Sequence, residues 1–181
     1  MNAPIKILVD DKDVTKDGIK QFFVSVENDD QKQDLIDNLL EQLDINQMIM
    51  FANSKTSVEN LTAFLLKKGF SIAMIHSELD RDQRTKVMQE FKDRKHRILV
   101  SSDLLARGID IYSVNLVVNY EVPKSMETYI HRIGRTGRDG RMGVAISMVD
   151  KQNAKLLLEI EKHYQTSIEE LPIDVADIYK R

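Results

Sequence analysis

Short apolar runs alternate with segments of helical periodicity along this chain, and this alternation constrains the fold more than any other feature. Residues 48–52 form a continuous apolar run, as expected of a strand that is buried on both faces of a sheet. Residues 30–43 carry leucines at helical spacing, and residues 54–68 form a helix that Gly69 can end. Strands separated by helices in this way predict an α/β fold, with a parallel sheet between layers of helices.

The same reasoning places the other elements and one domain boundary. We expect further strands at 20–27, 71–75, 97–100, 115–120 and 143–149, and further helices at 80–92, 124–133 and 151–164, with a short helix after Pro172. Residues 1–18 are mostly polar and rich in Asp and Lys, which indicates a tail or linker. Residues 19–181 are then expected to form one domain.

The charge of the chain is unevenly distributed. Residues 1–44 carry 11 acidic and 5 basic side chains, a net charge of −6, so that the remainder carries +3 of the total of −3. A phosphate-binding site therefore has to be a local basic patch. The chain has no cysteine and only 4 scattered histidines, so we expect no metal site of its own. No apolar run approaches the roughly 18 residues of a membrane span, and we expect no membrane contact.

The densest basic patch lies in the block 131–138, which reads His-Arg-Ile-Gly-Arg-Thr-Gly-Arg. Its arginines recur at three-residue spacing, and a glycine precedes both Arg135 and Arg138. The planar guanidinium group binds phosphate oxygens in bidentate fashion, and glycine lets the backbone approach a ligand closely. A helix C-terminus also favours one Gly and one Arg, but it does not account for the repeat. The block therefore indicates a polyphosphate-binding loop at a helix end.

Other polar segments directly follow predicted strands and would meet at one edge of the sheet. They are 53–55 (Asn-Ser-Lys), 76–78 (His-Ser-Glu) and 101–103 (Ser-Ser-Asp). Simpler interpretations exist for each segment. Ser54 can be a helix N-cap, and His76 can be a structural residue. Ser102 can belong to the N-cap of the following helix, whose free backbone amides would also suit a phosphate. Further on, Asp110 offers a carboxylate to hydroxyl groups or to an arginine.

A phosphate cradle is missing from the sequence. No Gly-x-x-x-x-Gly-Lys-Ser/Thr loop is present, and no acidic run beside such a loop would hold Mg²⁺. Arginines directed at phosphate without a cradle indicate that the chain completes a site built elsewhere, as an arginine finger does when it is supplied in trans.

With these motifs the chain resembles the DEAD-box RNA helicases. Residues 131–138 resemble motif VI at every fixed position, 101–110 resemble motif V, 50–55 resemble motif IV, and 76–79 with Arg84 resemble motif IVa. The resemblance covers residues 18–177 and implies a C-terminal RecA-like lobe, whose partner lobe with the phosphate loop is not in this sequence. The phenylalanine pair at 22–23 and the segment 170–177 resemble the corresponding sequences of the translation-initiation subgroup and of its relative in the exon-junction complex.

The resemblance implies roles for the nucleotide-binding residues. Arg135 and Arg138 would be arginine fingers on the γ-phosphate of ATP, and Asp110, with Gly108 beside it, would meet the ribose. His131 and the arginine that follows it, Arg132, would bind the other lobe. ATP and Mg²⁺ would be the cofactors, with the metal held by the other lobe.

The resemblance also implies an RNA-binding surface. The residues that would lie at or near the RNA backbone are Ser54, Ser77, Arg84, Ser102 and Asp103. Four positions depart from the family pattern: Ser102 where motif V usually has Thr, Ser77 and Glu78 where motif IVa usually has Gly and Asp, and Arg81 where Gln is usual. These departures concern the detail of RNA contact.

Three functions stay open from the sequence. The first is an ATP-dependent RNA helicase, a monomer acting in the cytoplasm in translation initiation, which binds RNA without sequence preference and whose C-terminal lobe is inactive alone. The second is a module that mainly docks a helical-repeat scaffold protein, in a related nuclear helicase, with the acidic first third as the docking face. The third is a RecA-like domain of a DNA helicase.

Overall fold

The computed structural model describes residues 18–103, 114–138 and 140–179. The predicted tail at 1–18 lies outside these residues except for Gly18. The strands of the described residues are β1 Ile19–Ser25, β2 Met48–Phe51, β3 Ile72–Ile75, β4 Ile98–Ser101, β5 Leu116–Asn119, β6 Gly143–Val149 and β7 Ile168–Glu170. The helices are α1 Asp29–Gln42, α2 Lys55–Lys67, α3 Arg81–Lys92, α4 Met126–Ile133 and α5 Ala154–Tyr164, followed by a 3₁₀ helix at Val175–Tyr179.

The strands form one parallel sheet in the order β3-β4-β2-β5-β6-β1-β7. This arrangement confirms the predicted α/β fold. Because the strands are parallel, their carboxyl ends meet at one edge of the sheet, and the segments that follow β2, β3, β4 and β5 lie next to one another there.

Helices cover both faces of the sheet because consecutive side chains of a strand point to opposite sides. In β2, Met48 and Met50 belong to the apolar cluster under α1 and α2, whereas Ile49 and Phe51 belong to the cluster under α3. All four are fully buried, which confirms that β2 is a central strand covered on both faces. A third apolar cluster packs α4 and α5 against the sheet beside β6.

Most elements have bounds within two residues of the sequence prediction, and two elements depart from it further. Helix α5 begins at Ala154 rather than at 151, because the Oδ1 atom of Asp150 accepts hydrogen bonds from the backbone N–H groups of Gln152 (2.8 Å) and Asn153 (2.9 Å) and holds them in a turn. Strand β7 was not predicted. It has 3 residues, which is too short for an alternation to show, and it forms only by pairing with β1 at the sheet edge.

Within the described ranges, no helix has the length and apolar character that crossing a membrane requires.

Candidate nucleotide and RNA site

The loop that follows α4, residues 134–138 and here called the arginine loop, is held by the segment that leads into β5. The backbone N–H of Val114 donates to the carbonyl oxygen of Arg135 at 3.1 Å. The buried hydroxyl of Thr136 donates to the carbonyl oxygen of Val114 at 2.6 Å. One bond is made by the backbone carbonyl of Arg135 and the other by the side chain of the next residue, Thr136. Together they fix the position of the backbone at Arg135 in the lobe.

Gly137 occupies a position that only glycine fits. Its φ angle is +71°, and a β-carbon there would lie 2.5 Å from the carbonyl oxygen of Gly18 and 2.7 Å from Cγ1 of Ile19. The other glycine of the loop, Gly134, has an ordinary φ of −63° and forms the C-cap of α4. The sequence pattern attributed both glycines to ligand approach, whereas the structure gives Gly137 a packing role against the start of β1.

Arg135 and Arg138 stand three residues apart on this loop. Arg135 is half-buried and Arg138 is exposed. The Nε–H group of Arg138 donates to the carbonyl oxygen of Gly134 at 3.0 Å, which anchors the side chain at the C-terminal end of α4. A guanidinium held through Nε presents its two terminal nitrogens in a defined plane, as bidentate phosphate binding requires.

Arg132 is fully buried at the carboxyl edge of the sheet, with 0% of its side chain exposed. Its guanidinium makes five polar contacts, which matches its five N–H donors. They run from Nε to Asp103 Oδ1 (2.6 Å), from Nη2 to Asp103 Oδ1 (2.5 Å) and Asn53 Oδ1 (2.7 Å), and from Nη1 to the Glu121 carbonyl (2.7 Å) and Asn119 Oδ1 (3.2 Å). Phe51 lies 5.2 Å from the same group, from its ring centroid to Cζ.

The role in binding the other lobe that the resemblance implied for Arg132 stays a prediction. The four hydrogen bonds and the ion pair of its guanidinium group all lie inside this lobe. Burial lowers the pKa of Arg132, and the carboxylate of Asp103 opposes that effect. His131, the neighbouring position with the same expected role, is half-buried at the end of α4.

The carboxylates of Asp103 and Glu121 complete the site around Arg132. The Asp103 carboxylate, expected near RNA, accepts from Arg132 and is 42% exposed. The Glu121 carboxylate accepts from the backbone N–H of Asn53 at 2.6 Å and from the hydroxyl of Ser57 at 2.8 Å. Asn119 links Arg132 to β6, because its Nδ2 group donates a hydrogen bond to Oγ of Ser147 at 3.0 Å.

Sequence reasoning missed the roles of Asn119, Glu121 and Ser147. One signal was available for the first two, because they interrupt the apolar pattern where β5 ends and so fall at the edge where polar groups collect. Ser147 gave no signal, since a small hydroxyl inside an apolar strand is common and its partner is 28 residues away.

The residues expected near RNA lie on the segments that follow three adjacent strands, β3, β4 and β2. Ser54 is exposed and caps α2, with its Oγ accepting from the backbone N–H of Ser57 at 3.1 Å, which confirms the N-cap interpretation. Ser77 is exposed, and its carbonyl oxygen accepts from Nη2 of Arg84 at 2.9 Å. The backbone N–H of Ser102 donates to the carbonyl of Ile75 at 3.2 Å, which joins the segments after β4 and β3.

An ion pair between Lys55 and Glu78 joins the segments after β2 and β3. The hydrogen bond that Lys55 donates to Glu78 raises the pKa of Lys55, and the same bond lowers the pKa of Glu78. His76, next to this pair, is buried with 6% exposure, and its Nδ1 accepts from the backbone N–H of Glu78 at 3.3 Å. These contacts agree with the structural interpretation of His76.

Two expected nucleotide contacts, Gly108 and Asp110, lie outside the described residues. In the part of the chain that the structure describes, no group of three His, Asp or Glu side chains is arranged to hold a metal ion. The cationic side chains of the arginine loop suit the phosphates of a nucleotide and not a metal.

Comparison with known proteins assigns the family. Residues 31–140 match the helicase conserved C-terminal domain. The fold is similar to the C-terminal domain of the DEAD-box protein Dbp5, with a TM-score of 0.81 and 34% identity over 91% of this chain and 98% of that one. It is also similar to Saccharomyces cerevisiae Dbp5 bound to RNA and ADP BeF3, with a TM-score of 0.80 and 35% identity over 88% of this chain and 43% of that one. The chain therefore belongs to the helicase conserved C-terminal domain family, as a RecA-like C-terminal lobe of the DEAD-box type.

Within this family the chain is similar to a protein of the translation-initiation subgroup. It is 45% identical to the ATP-dependent RNA helicase eIF4A of Debaryomyces hansenii over 179 residues, which is 99% of this chain and 45% of that protein. The chain thus spans less than half the length of this curated relative.

Proposed function

We propose that this chain is the C-terminal lobe of an ATP-dependent RNA helicase, to which it supplies two arginine fingers and part of the RNA-binding surface. The observation that carries the proposal is the fixed backbone of the arginine loop, bonded at Arg135 and Thr136 to the segment before β5 and packed at Gly137 against β1. An arginine finger works by electrostatic stabilisation, and this requires donors that are in place before charge develops.

The chemistry assigned to Arg135 and Arg138 is stabilisation of the negative charge that develops on the γ-phosphate during transfer to water. The other lobe would hold most of the ATP and the Mg²⁺, which neutralises phosphate charge when bound. Gly108 and Asp110 would meet the ribose. His131 would contact the other lobe, whereas Arg132 would act from inside this lobe by fixing α4.

The RNA surface would consist of groups that follow β2, β3 and β4: Ser54 and Ser77, which are exposed, and Arg84 and Ser102, which are half-buried. Hydroxyl, amide and guanidinium groups bind phosphate and sugar oxygens, so this surface would hold RNA without sequence preference. Asp103, bonded to Arg132, would serve the surface by position rather than by touching phosphate. Simultaneous binding of ATP and RNA would close the two lobes and separate a short duplex, in translation initiation in the cytoplasm, with nuclear mRNA processing as the alternative setting.

The experiment that tests this proposal measures RNA-stimulated ATP hydrolysis by the two-lobed protein that contains this chain. Arg135→Ala and Arg138→Ala are each expected to lower kcat by about 100-fold or more, with RNA binding retained. The matched control is Arg141→Ala, which removes an exposed arginine three residues beyond Arg138. An equal loss in all three variants would indicate a general positive patch, and near-normal turnover in the first two would refute the finger assignment.

Docking of a helical-repeat scaffold protein is the second candidate function, and the acidic face of α1 favours it. The exposed acidic residues of α1 and of the two residues that follow it are Asp29, Asp30, Asp34, Glu41 and Asp44. A scaffold fragment retained by the wild-type chain and lost when these side chains are changed to Asn and Gln would support docking. Retention that survives the change would exclude this face.

A further inference from the structure

A continuous chain of hydrogen bonds joins the proposed RNA surface to α4, the helix that carries the arginine loop at its end. The Ser54 hydroxyl donates to Ser57 Oγ at 3.0 Å, and the Ser57 hydroxyl donates to Glu121 Oε1 at 2.8 Å. The carbonyl of Glu121 then accepts from Nη1 of Arg132 at 2.7 Å. Glu121 is thus the residue at which a contact from the RNA side meets a contact from α4.

A second connection runs parallel to the first through Asn53. The backbone N–H of Asn53 donates to Glu121 Oε2 at 2.6 Å, and its side-chain Oδ1 accepts from Nη2 of Arg132 at 2.7 Å. Its Nδ2 donates to the carbonyl of Val122 at 2.9 Å. The two oxygens of the Glu121 carboxylate therefore bind Ser57 in the first turn of α2 and Asn53 just before its N-cap, at the end of the helix where the dipole favours a negative charge.

The path from Arg132 to the proposed fingers is short. The backbone N–H of Arg135 donates to the carbonyl of Arg132 at 3.2 Å, and α4 ends between them. Because Arg132 is fully buried and uses all its donors, a displacement of Asn53 or Glu121 cannot occur without moving Arg132 or breaking its bonds.

We propose that Glu121 is a positioning residue that couples RNA binding at the segment after β2 to the placement of the arginine loop. This inference rests on the proposed function, since it connects the two sites named there. When a phosphate accepts a hydrogen bond from the Ser54 hydroxyl, that hydroxyl no longer donates to Ser57. The resulting shift of the Ser57 hydroxyl then alters its bond to Glu121, and through Glu121 the position of Arg132. Glu121 touches neither RNA nor nucleotide, and it acts by fixing the relative positions of α2 and α4.

The test is the thermodynamic coupling between RNA and nucleotide in the two-lobed protein. The Kd for a single-stranded oligouridine is measured without nucleotide and with a saturating non-hydrolysable ATP analogue, and the ratio of the two values is the coupling factor. Couplings between sites are usually about 5–150-fold. Glu121→Gln keeps the size of the side chain and replaces one acceptor oxygen by a donor, so we expect the coupling factor to fall by about fivefold or more, with the nucleotide-free Kd changed by less than about twofold.

Glu127→Gln is the matched control, because Glu127 is an exposed glutamate in the first turn of α4. It is expected to leave the coupling factor unchanged. Ser57→Ala is expected to lower the factor as Glu121→Gln does, and the double variant is expected to lose little more, since both changes break the same path.

An unchanged coupling factor in Glu121→Gln would overturn the inference. The inference would also be overturned if Glu121→Gln lost equal RNA affinity with and without the analogue and had a lower Tm, because that result describes a merely structural role. The wild-type protein separates this failure from that of the proposed function. If wild type shows neither coupling nor RNA-stimulated hydrolysis, the proposed function fails and the coupling role with it.

Discussion

Gly143 and Gly137 are in backbone contact: a β-carbon on Gly143 would lie 2.3 Å from the backbone nitrogen of Gly137. The same β-carbon would lie 2.6 Å from Oγ1 of Thr136. Gly143, the first residue of β6, thus sets the distance between the sheet and the arginine loop. Its backbone N–H also donates to the carbonyl oxygen of Gly18 at 2.7 Å, which holds the start of β1 against the same contact.

Gly143→Ala is expected to destabilise the lobe by about 3 kcal/mol or more, because the atoms that the new methyl group meets are mostly backbone and cannot rotate away. Urea unfolding measures this. The control is Gly140→Ala, where a β-carbon meets nothing within 4 Å and only the φ of +73° is unfavourable. We expect about 1 kcal/mol there. Equal costs at the two positions would contradict the close approach.

Arg132→Ala is expected to cost about 3 kcal/mol in stability. The substitution removes one member of a buried ion pair and leaves Asn53, Asn119 and a carbonyl without their donor. Arg132→Lys should recover little, since an ammonium group cannot reproduce the fork of five donors.

The exposed Arg138 serves as the control for Arg132. Arg138→Ala should change the free energy of unfolding by no more than about 0.5 kcal/mol, as is usual for surface substitutions. If both arginines proved equally dispensable in urea unfolding, the buried network would not contribute to stability.

The stability of the lobe at alkaline pH should depend on Tyr120. Burial, with smaller effects from Asp29 and Glu121, raises the pKa of Tyr120 from 10.0 to about 12. The folded state therefore disfavours the tyrosinate, so the contribution to stability is complete below pH 10 and is lost as the pH rises from 10 toward 12. Tyr120→Phe should reduce the fall in unfolding free energy over this interval by up to about 1.4 kcal/mol per pH unit. Parallel pH profiles for the variant and wild type would contradict this.

Glu78→Gln is expected to strengthen RNA binding by the two-lobed protein. The substitution removes the nearer of the two carboxylates paired with Lys55 and leaves only the looser ion pair with Glu59 at 3.7 Å, so the ammonium group can bind a phosphate more readily. The slope of log K against log salt should become steeper by about 0.7, the value for one more phosphate contact on a single strand. Glu159→Gln, which breaks the Lys155–Glu159 pair on α5, is the control and should change neither quantity. An unaltered salt slope in Glu78→Gln would argue against RNA at this surface.

Local pattern was sufficient for most of the architecture. The apolar run that became β2 and the helical leucines of α1 were visible in the sequence, because strand and helix periods are properties of neighbouring residues. Ser54 as an N-cap and Gly69 at the end of α2 were predictable for the same reason, since each acts on residues within one turn. The composition of the block 131–138 predicted a phosphate-binding loop at a helix end, and the structure places that loop at the end of α4.

The sequence by itself determined the α/β fold, the family and the presence of a basic loop at a helix end. Only the tertiary structure decided what individual residues of the block 131–138 do: Arg132 is buried and bonded to Asn53, 79 residues away in sequence, and Gly137 packs against Gly18. A charge in a sequence does not reveal its burial, because burial depends on which strands become neighbours in the sheet. The same physical reason explains β7 and Glu121, whose structure and contacts exist only after distant segments have come together.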